Sequence, residues 1–357
     1  MKIFKDNILI KGFLLTILVL MLTGCVHYSV LTTGQSTIPA NVRQLYIDGP
    51  FQTQIFVING NEPRINISLD SQGKSTAVII KQYGDTLTIQ PAHSASTKDI
   101  SHIILSIYIK NPINISLNHA NWPLIYSKPG ANFNLTVQNS QNVRLGGGGI
   151  IPQLTIRNTV NFTAANGPLY LSEVNFEGPG QASLNEIVGG YVTVNAIGPG
   201  SLTLNGNFTL ESINQQNGSS VSLNGKINGG NILIRTNGRQ QVMMQGINFA
   251  GLQFKGYNND NFDLSGYVGQ LNVALYDNAV LSGRWLTVDK AYVKTYDNAF
   301  ANFYVNKLIF AQAEDQSRIS YSGTPAYRYA LAKEAAAILP VTVPATNAIN
   351  KGGWSLN

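Results

Sequence analysis

A set of turn motifs recurs about every twenty residues through the middle of this chain. Gly178-Pro179-Gly180 returns as Gly198-Pro199-Gly200, and Tyr276-Asp277-Asn278-Ala279 returns as Tyr296-Asp297-Asn298-Ala299. A second marker keeps step: Leu184, Leu204-Asn205-Gly206, Leu223-Asn224-Gly225, Met244-Gln245-Gly246 and Leu264-Ser265-Gly266. A fixed short period is the signature of a solenoid, in which each repeat buries its apolar side against its neighbours. Between the markers lie short alternating runs, among them Leu135-Thr136-Val137, Leu154-Thr155-Ile156, Leu169-Tyr170-Leu171, Val192-Thr193-Val194, Ile232-Leu233-Ile234, Leu271-Asn272-Val273 and Tyr292-Val293-Lys294. Period-two runs bounded by Gly, Pro, Asn and Asp read as strands. The expected fold is therefore all-β: a single-stranded, right-handed parallel β-helix with rungs of about twenty residues stacked about 4.8 Å apart.

Composition agrees. Charged residues make up 12% of the chain, about half the usual share. Like charges one rung apart would repel, so stacked strands favour uncharged polar side chains. From Val42 to about Tyr126 the strands are longer and less repetitive, with turns expected at Asn59-Gly60 and Gly84-Asp85. Ile103-Ile104-Leu105-Ser106-Ile107-Tyr108-Ile109 is apolar almost throughout, as expected of a strand buried on both faces. The end differs: Tyr329 to Leu339 is rich in Ala and Leu with one Lys-Glu pair, which favours a short helix over the last rung. Pro340 limits it, and a loose tail follows to Asn357.

The N-terminus reads as a targeting segment. Lys2, Lys5 and Lys11 precede an apolar run from Phe13 to Leu22, which suits a signal peptide and is short for a membrane span. Leu22-Thr23-Gly24-Cys25 resembles the lipobox of bacterial lipoproteins, and Cys25 is the only cysteine. The resemblance implies lipidation of Cys25 and anchoring in a membrane by its acyl chains. Val26 stands where an inner-membrane retention signal has Asp, which implies the outer membrane. Removing residues 1–24 takes away three lysines and Asp6, so the net charge of +6 falls to +4. That charge is spread out, with no Lys/Arg run, and speaks against nucleic acid as a partner.

Few residues suggest chemistry. Asp277 and Asp297 fall one rung apart on one face, with Asp260 and Asp263 a rung earlier and Lys294 and Arg284 as basic neighbours. Paired carboxylates of this kind serve acid/base work on polysaccharides. Yet Asp and Asn also make corners by adopting left-handed backbone and bonding their own turn, and the corner is the favoured reading. Tyr257, Tyr276 and Tyr296 are spaced to stack. Inside, such a ladder is core packing; outside, it is a platform for a sugar ring. Asn214, Asn237 and Asn258 are candidates for internal amide ladders. No metal is expected: His27, His93, His102 and His119 show no ligand spacing. No cofactor is expected either, since Gly146-Gly147-Gly148-Gly149 lacks the Lys-Ser/Thr of a phosphate loop and reads as a wide corner.

One family resemblance can be drawn on particular residues. Arg43-Gln44-Leu45-Tyr46-Ile47-Asp48-Gly49-Pro50-Phe51, then Ile55-Phe56-Val57, then Asp85-Thr86-Leu87-Thr88-Ile89, resembles the opening of the head GIN domain of auto-transporter adhesin type. Tyr321-Ser322-Gly323-Thr324-Pro325 resembles its close. The resemblance implies a β-helical envelope protein and brings no catalytic residues. The expected organisation is a signal peptide over 1–24, a lipidated tether over 25–41, a head GIN-like β-helix over 42–325, and a short helix and tail over 326–357. The expected function is a lipid-anchored, non-enzymatic binding module of the cell envelope, adhesin-like, contacting a glycan or an envelope protein. The rivals are a polysaccharide lyase or hydrolase of the pectate-lyase-like type, and an envelope assembly or stress factor.

Overall fold

In a computed structural model the described residues are 27–31, 34–57, 63–69, 78–92, 100, 102–110 and 113–341. The signal peptide, Cys25, Asn59-Gly60, His93 and the tail beyond residue 341 lie outside them; of the expected tether only residues 25, 26, 32 and 33 do, and its His27–Leu31 and Gly34–Thr37 are strands. The chain divides into two units, Met1–Ile151 and Pro152–Asn357.

In the first unit, parallel ladders form a short stack. Gln44–Asp48 lies between Thr86–Pro91 and Ile113–Asn118, parallel to both, and Phe133–Gln138 continues the stack beyond Ile113–Asn118. Gln52–Val57 lies likewise between Ile103–Ile109 and Asn121–Ser127. Antiparallel strands border these ladders. Val78–Tyr83 turns through Gly84-Asp85 into Thr86–Pro91, and Arg64–Leu69 pairs with both Ile103–Ile109 and Gly34–Thr37. Contrary to expectation, Ile103–Ile109 is fully buried on one face only. Ile103, Leu105, Ile107 and Ile109 are buried, but Ile104, Ser106 and Tyr108 are only half-buried. The second face is a thin cover, with the Tyr108 ring stacked on Phe56 at 4.8 Å and the Arg64 guanidinium 4.3 Å from its centroid.

The second unit is the regular β-solenoid. Gln181–Ile197, Ser201–Gln216, Ser220–Arg235, Gln241–Gly256, Asn261–Leu275, Val280–Thr295 and Phe300–Ala313 each make one rung, all parallel to their neighbours. The marker series forms one inward row: Leu184, Leu204, Leu223, Met244 and Leu264 are in register and at most 1% exposed. Burying a side chain of this size stabilises by about 1.5–3 kcal/mol, and repetition of the row spreads that gain over the stack. The polar residue after the marker bonds along the stack. Asn205 Nδ2 donates to Asn185 Oδ1 at 2.7 Å, and Asn224 Nδ2 donates to Asn205 Oδ1 at 2.9 Å. These are the amide ladders. Asn214 is half-buried, while Asn237 and Asn258 sit at exposed corners, so the internal ladder expected of those three does not form. The glycine of the marker has a steric cause. Gly225 has φ +124°, and a Cβ there would lie 2.0 Å from the Gly206 carbonyl oxygen.

The segment expected to be a helix is strand. Tyr327–Ala332 pairs with Phe300–Ala313, and Ala337–Pro340 pairs with Arg318–Ser322, both parallel. Helix propensity is a weak preference, and the open edge of the preceding rung offers backbone partners at fixed positions. Lys333 N donates to Ala313 O at 3.0 Å, and Ala337 N donates to Ser317 O at 3.1 Å. No helix among the described residues is long and apolar enough to cross a membrane.

Candidate functional site

The Tyr-Asp-Asn-Ala repeat is a corner, and its geometry explains its residues. Asn258, Asp277, Asp297, Asp315 and Glu334 all take left-handed backbone, with φ between 52° and 63°. Asp and Asn bear that conformation at less cost than most residues. At each corner one turn closes in the same way: Asp260 N to Tyr257 O, Ala279 N to Tyr276 O, Ala299 N to Tyr296 O, Ser317 N to Glu314 O and Ala336 N to Lys333 O. Lys333-Glu334, which reads as a helical pair in sequence, is thus the last corner of this column.

The carboxylates cap the corner before them. Asp277 Oδ2 accepts from Asn258 N at 2.9 Å, Asp297 Oδ2 from Asp277 N at 3.0 Å, and Asp315 Oδ2 from Asp297 N at 3.0 Å. Asp277 and Asp297 are exposed and on adjacent rungs, and each carboxylate has one oxygen bonded to a backbone amide. Asp260 plays a related part inside. At 1% exposure its oxygens accept from Thr236 Oγ1, Gln240 N and Tyr257 N at 2.7, 2.8 and 3.0 Å. Asp263 is exposed on a strand. Arg284 lies over Trp285 at 5.3 Å, and Lys294 is exposed near the end of the same rung, Val280–Thr295. Among the described residues no group of three or more His, Cys, Asp or Glu could hold a metal ion.

Tyr257, Tyr276 and Tyr296 form a continuous stack at the same corners. Their centroids are 5.2 and 4.9 Å apart, with ring planes within 7° and 5°. All three are half-buried, so they line the surface with edges outward and faces turned on one another. Both faces of Tyr276 are occupied. The Tyr296 hydroxyl is held above the ordinary phenol value, first by burial and then by the neighbouring Tyr276 and Glu314. Glu314 in turn is paired with Lys333 at 2.8 Å.

A second polar cluster has no counterpart in the sequence motifs. Asp289, 16% exposed, takes Lys307 Nζ at 2.5 Å, Asn306 Nδ2 at 3.1 Å and the Tyr267 hydroxyl at 3.0 Å. The Lys307 bond holds its carboxyl below the ordinary carboxylate value, against the opposing effect of burial. The one sequence signal is spacing, since these residues fall about a rung apart on three successive strands.

Residues 208–325 match the family described as "Putative auto-transporter adhesin, head GIN domain". The head GIN match covers about a third of the chain. It holds both Tyr-Asp-Asn-Ala corners and the tyrosine stack, and it ends at Pro325, on the Tyr321–Pro325 closure. The opening stretches around residues 43–57 and 85–89 stand outside it. Among solved structures, a putative adhesin from Parabacteroides distasonis ATCC 8503 is 12% identical over 89% of this chain and 98% of that chain, with a TM-score of 0.27. A putative lipid binding protein from the same organism is 10% identical over 90% and 98%, with a TM-score of 0.24. A putative adhesin from Parabacteroides merdae ATCC 43184 is 14% identical over 88% and 96%, with a TM-score of 0.25. TM-scores this low bear on neither fold nor function. No curated protein matches the chain.

Proposed function

We propose that this chain is a lipid-anchored, adhesin-like protein of the bacterial cell envelope, whose solenoid presents a binding surface and catalyses no reaction. The observation that carries the reading is the head GIN match over residues 208–325, which holds the regular rungs from Ser220–Arg235 to Phe300–Ala313. The corner geometry supports the absence of catalysis. Asp277 and Asp297, the best catalytic pair in the sequence, each spend an oxygen on a backbone amide of the fold. The partner is a glycan or an envelope protein, held by weak contacts that repeat from rung to rung and sum by avidity. The anchor is Cys25, in the outer membrane.

Two experiments test it. With an epitope after Asn357, protease shaving of intact cells removes the signal if the solenoid faces outward; protection until the outer membrane is breached sinks the adhesion role. Cells displaying the protein are then scored for attachment to glycan-coated surfaces. Attachment that survives the double substitution Asp277→Asn and Asp297→Asn is the expected result. Turnover of a polysaccharide that this double variant abolishes would establish the lyase or hydrolase instead. For the anchor, Cys25→Ala is expected to release the protein from the membrane fraction and to end incorporation of a labelled fatty acid.

A further inference from the structure

Three outward rows on the second half of the rungs form one face of the second unit. One runs in register through Gln253, Asn272, Tyr292, Phe310 and Tyr329. Two residues later in each strand lie Lys255, Ala274, Lys294, Gln312 and Leu331, and two earlier lie Gly251, Gln270, Lys290, Leu308 and Tyr327. The residues between them, such as Phe254, Val273, Val293 and Ile309, point inward and are at most 2% exposed, which turns most of these rows to solvent.

Across five strands the rows hold no Asp or Glu. They hold three lysines, and among the described residues Lys255, Lys290 and Lys294 make no ion pair. The carboxylate on which Lys294 acts, Glu314, is already taken by Lys333. Tyr292, Phe310 and Tyr329 are 36, 40 and 57% exposed. Phe310 and Tyr329 stand 6.5 Å apart and tilted by 36°, so unlike the corner tyrosines they do not close their faces on each other. A groove of about 360 Å³, lined by Lys255, Gln270, Asn272, Tyr292, Lys294 and Phe310, crosses this face.

Each residue type has a complement in one ligand class. Exposed aromatic faces stack on the apolar face of a sugar ring. Glutamine and asparagine amides both donate and accept, as sugar hydroxyls do. Ammonium groups that make no ion pair, on rows that hold no Asp or Glu, attract carboxylates or sulfates. A lipid surface would use the charges and aromatics but has little need of the amides or of a concave groove. We propose that this groove binds an acidic polysaccharide, with the lysines pairing its acid groups and Tyr292 and Phe310 stacking its rings. This rests on the binding-module reading above and assigns to it a face and a ligand class.

The test is calorimetric titration of the full-length chain with polygalacturonate, alginate and hyaluronate, and with dextran and a neutral galactan. At least one acidic polymer is expected to bind at least tenfold more tightly than the neutral ones. Lys255→Gln with Lys294→Gln, and separately Tyr292→Ala, are each expected to weaken that binding at least tenfold. The Asp277→Asn, Asp297→Asn variant, altered on the corner column, is expected to leave it unchanged. Binding that the lysine and tyrosine variants do not alter overturns this face while keeping a glycan-binding module. Binding of the neutral polymers alone overturns the acidic class with the same reservation. If no polymer binds, this inference fails, and the module reading stands or falls on cell attachment. Equal binding to phosphatidylglycerol vesicles or to a single-stranded oligonucleotide overturns it in favour of unselective attraction of anions.

Discussion

Asp260 and Asp277 are one rung apart, yet their substitution should cost very different amounts. Asp260 is buried and accepts three hydrogen bonds. Asp260→Ala leaves the amides of Gln240 and Tyr257 and the Thr236 hydroxyl unmet, and is expected to destabilise by about 3 kcal/mol. Asp277 is exposed and caps a single amide that water can reach, so Asp277→Ala should cost less than about 1 kcal/mol. Urea unfolding of the two variants checks the contrast. Asp289 gives a pH signature. Its carboxyl is held below the ordinary value chiefly by Lys307, so its contribution is complete above the unfolded Asp value of about 3.9 and is lost as pH falls through the lower folded value. Melting of wild type and Asp289→Asn from neutral to acid should show a gap that narrows below about pH 4; a gap independent of pH would mean that the charge stabilises nothing. The corner role of Asp277 and Asp297 was legible in sequence, because left-handed corners select Asp and Asn. The Asp289 cluster was not, because Tyr, Asp and Lys on successive rungs share no repeating residue type.

Within a rung, side chains act through their neighbours above and below. Tyr276 has a ring on each side, whereas Tyr257 has only Tyr276 as a stacked partner. An aromatic pair contributes about 0.5–1.5 kcal/mol beyond the area it buries. Tyr276→Ala should therefore destabilise by about twice as much as Tyr257→Ala in that contribution, and Tyr276→Phe should recover most of the loss. Equal costs for the two alanine variants would show that the stack adds nothing beyond burial. The spacing of the three tyrosines predicts their stacking, but not whether they lie in the core or on the surface. That depends on whether the residue before a left-handed corner points in or out, and here it lies half-buried at the rim.

For the molecule as a whole, stability should fall toward the last described strands. Tyr327–Ala332 is exposed throughout, and Ala337–Pro340 is half-buried or exposed. Local opening is easiest where few apolar groups are buried. Hydrogen exchange is expected to be faster in Tyr327–Ala332 than in Asn261–Leu275, which is paired on both sides; equal protection would mean that the last strands are covered. The Ala-rich composition of this segment misled because an edge of unpaired backbone outweighs a preference for helix. The period, the inward row of Leu and Met, the glycine corners and the Asp-Asn turns were all determined by sequence alone, since each repeats one residue type under one steric demand. Which outward residues share a face was decided only by the tertiary structure. Asn272 pairs with Tyr292 twenty residues on, but Tyr292 pairs with Phe310 after eighteen and Phe310 with Tyr329 after nineteen. The backbone hydrogen bonds between rungs set that register and absorb each gain or loss of a residue at irregular corners. Side chains in solvent have no part in the choice, so they leave no period to read.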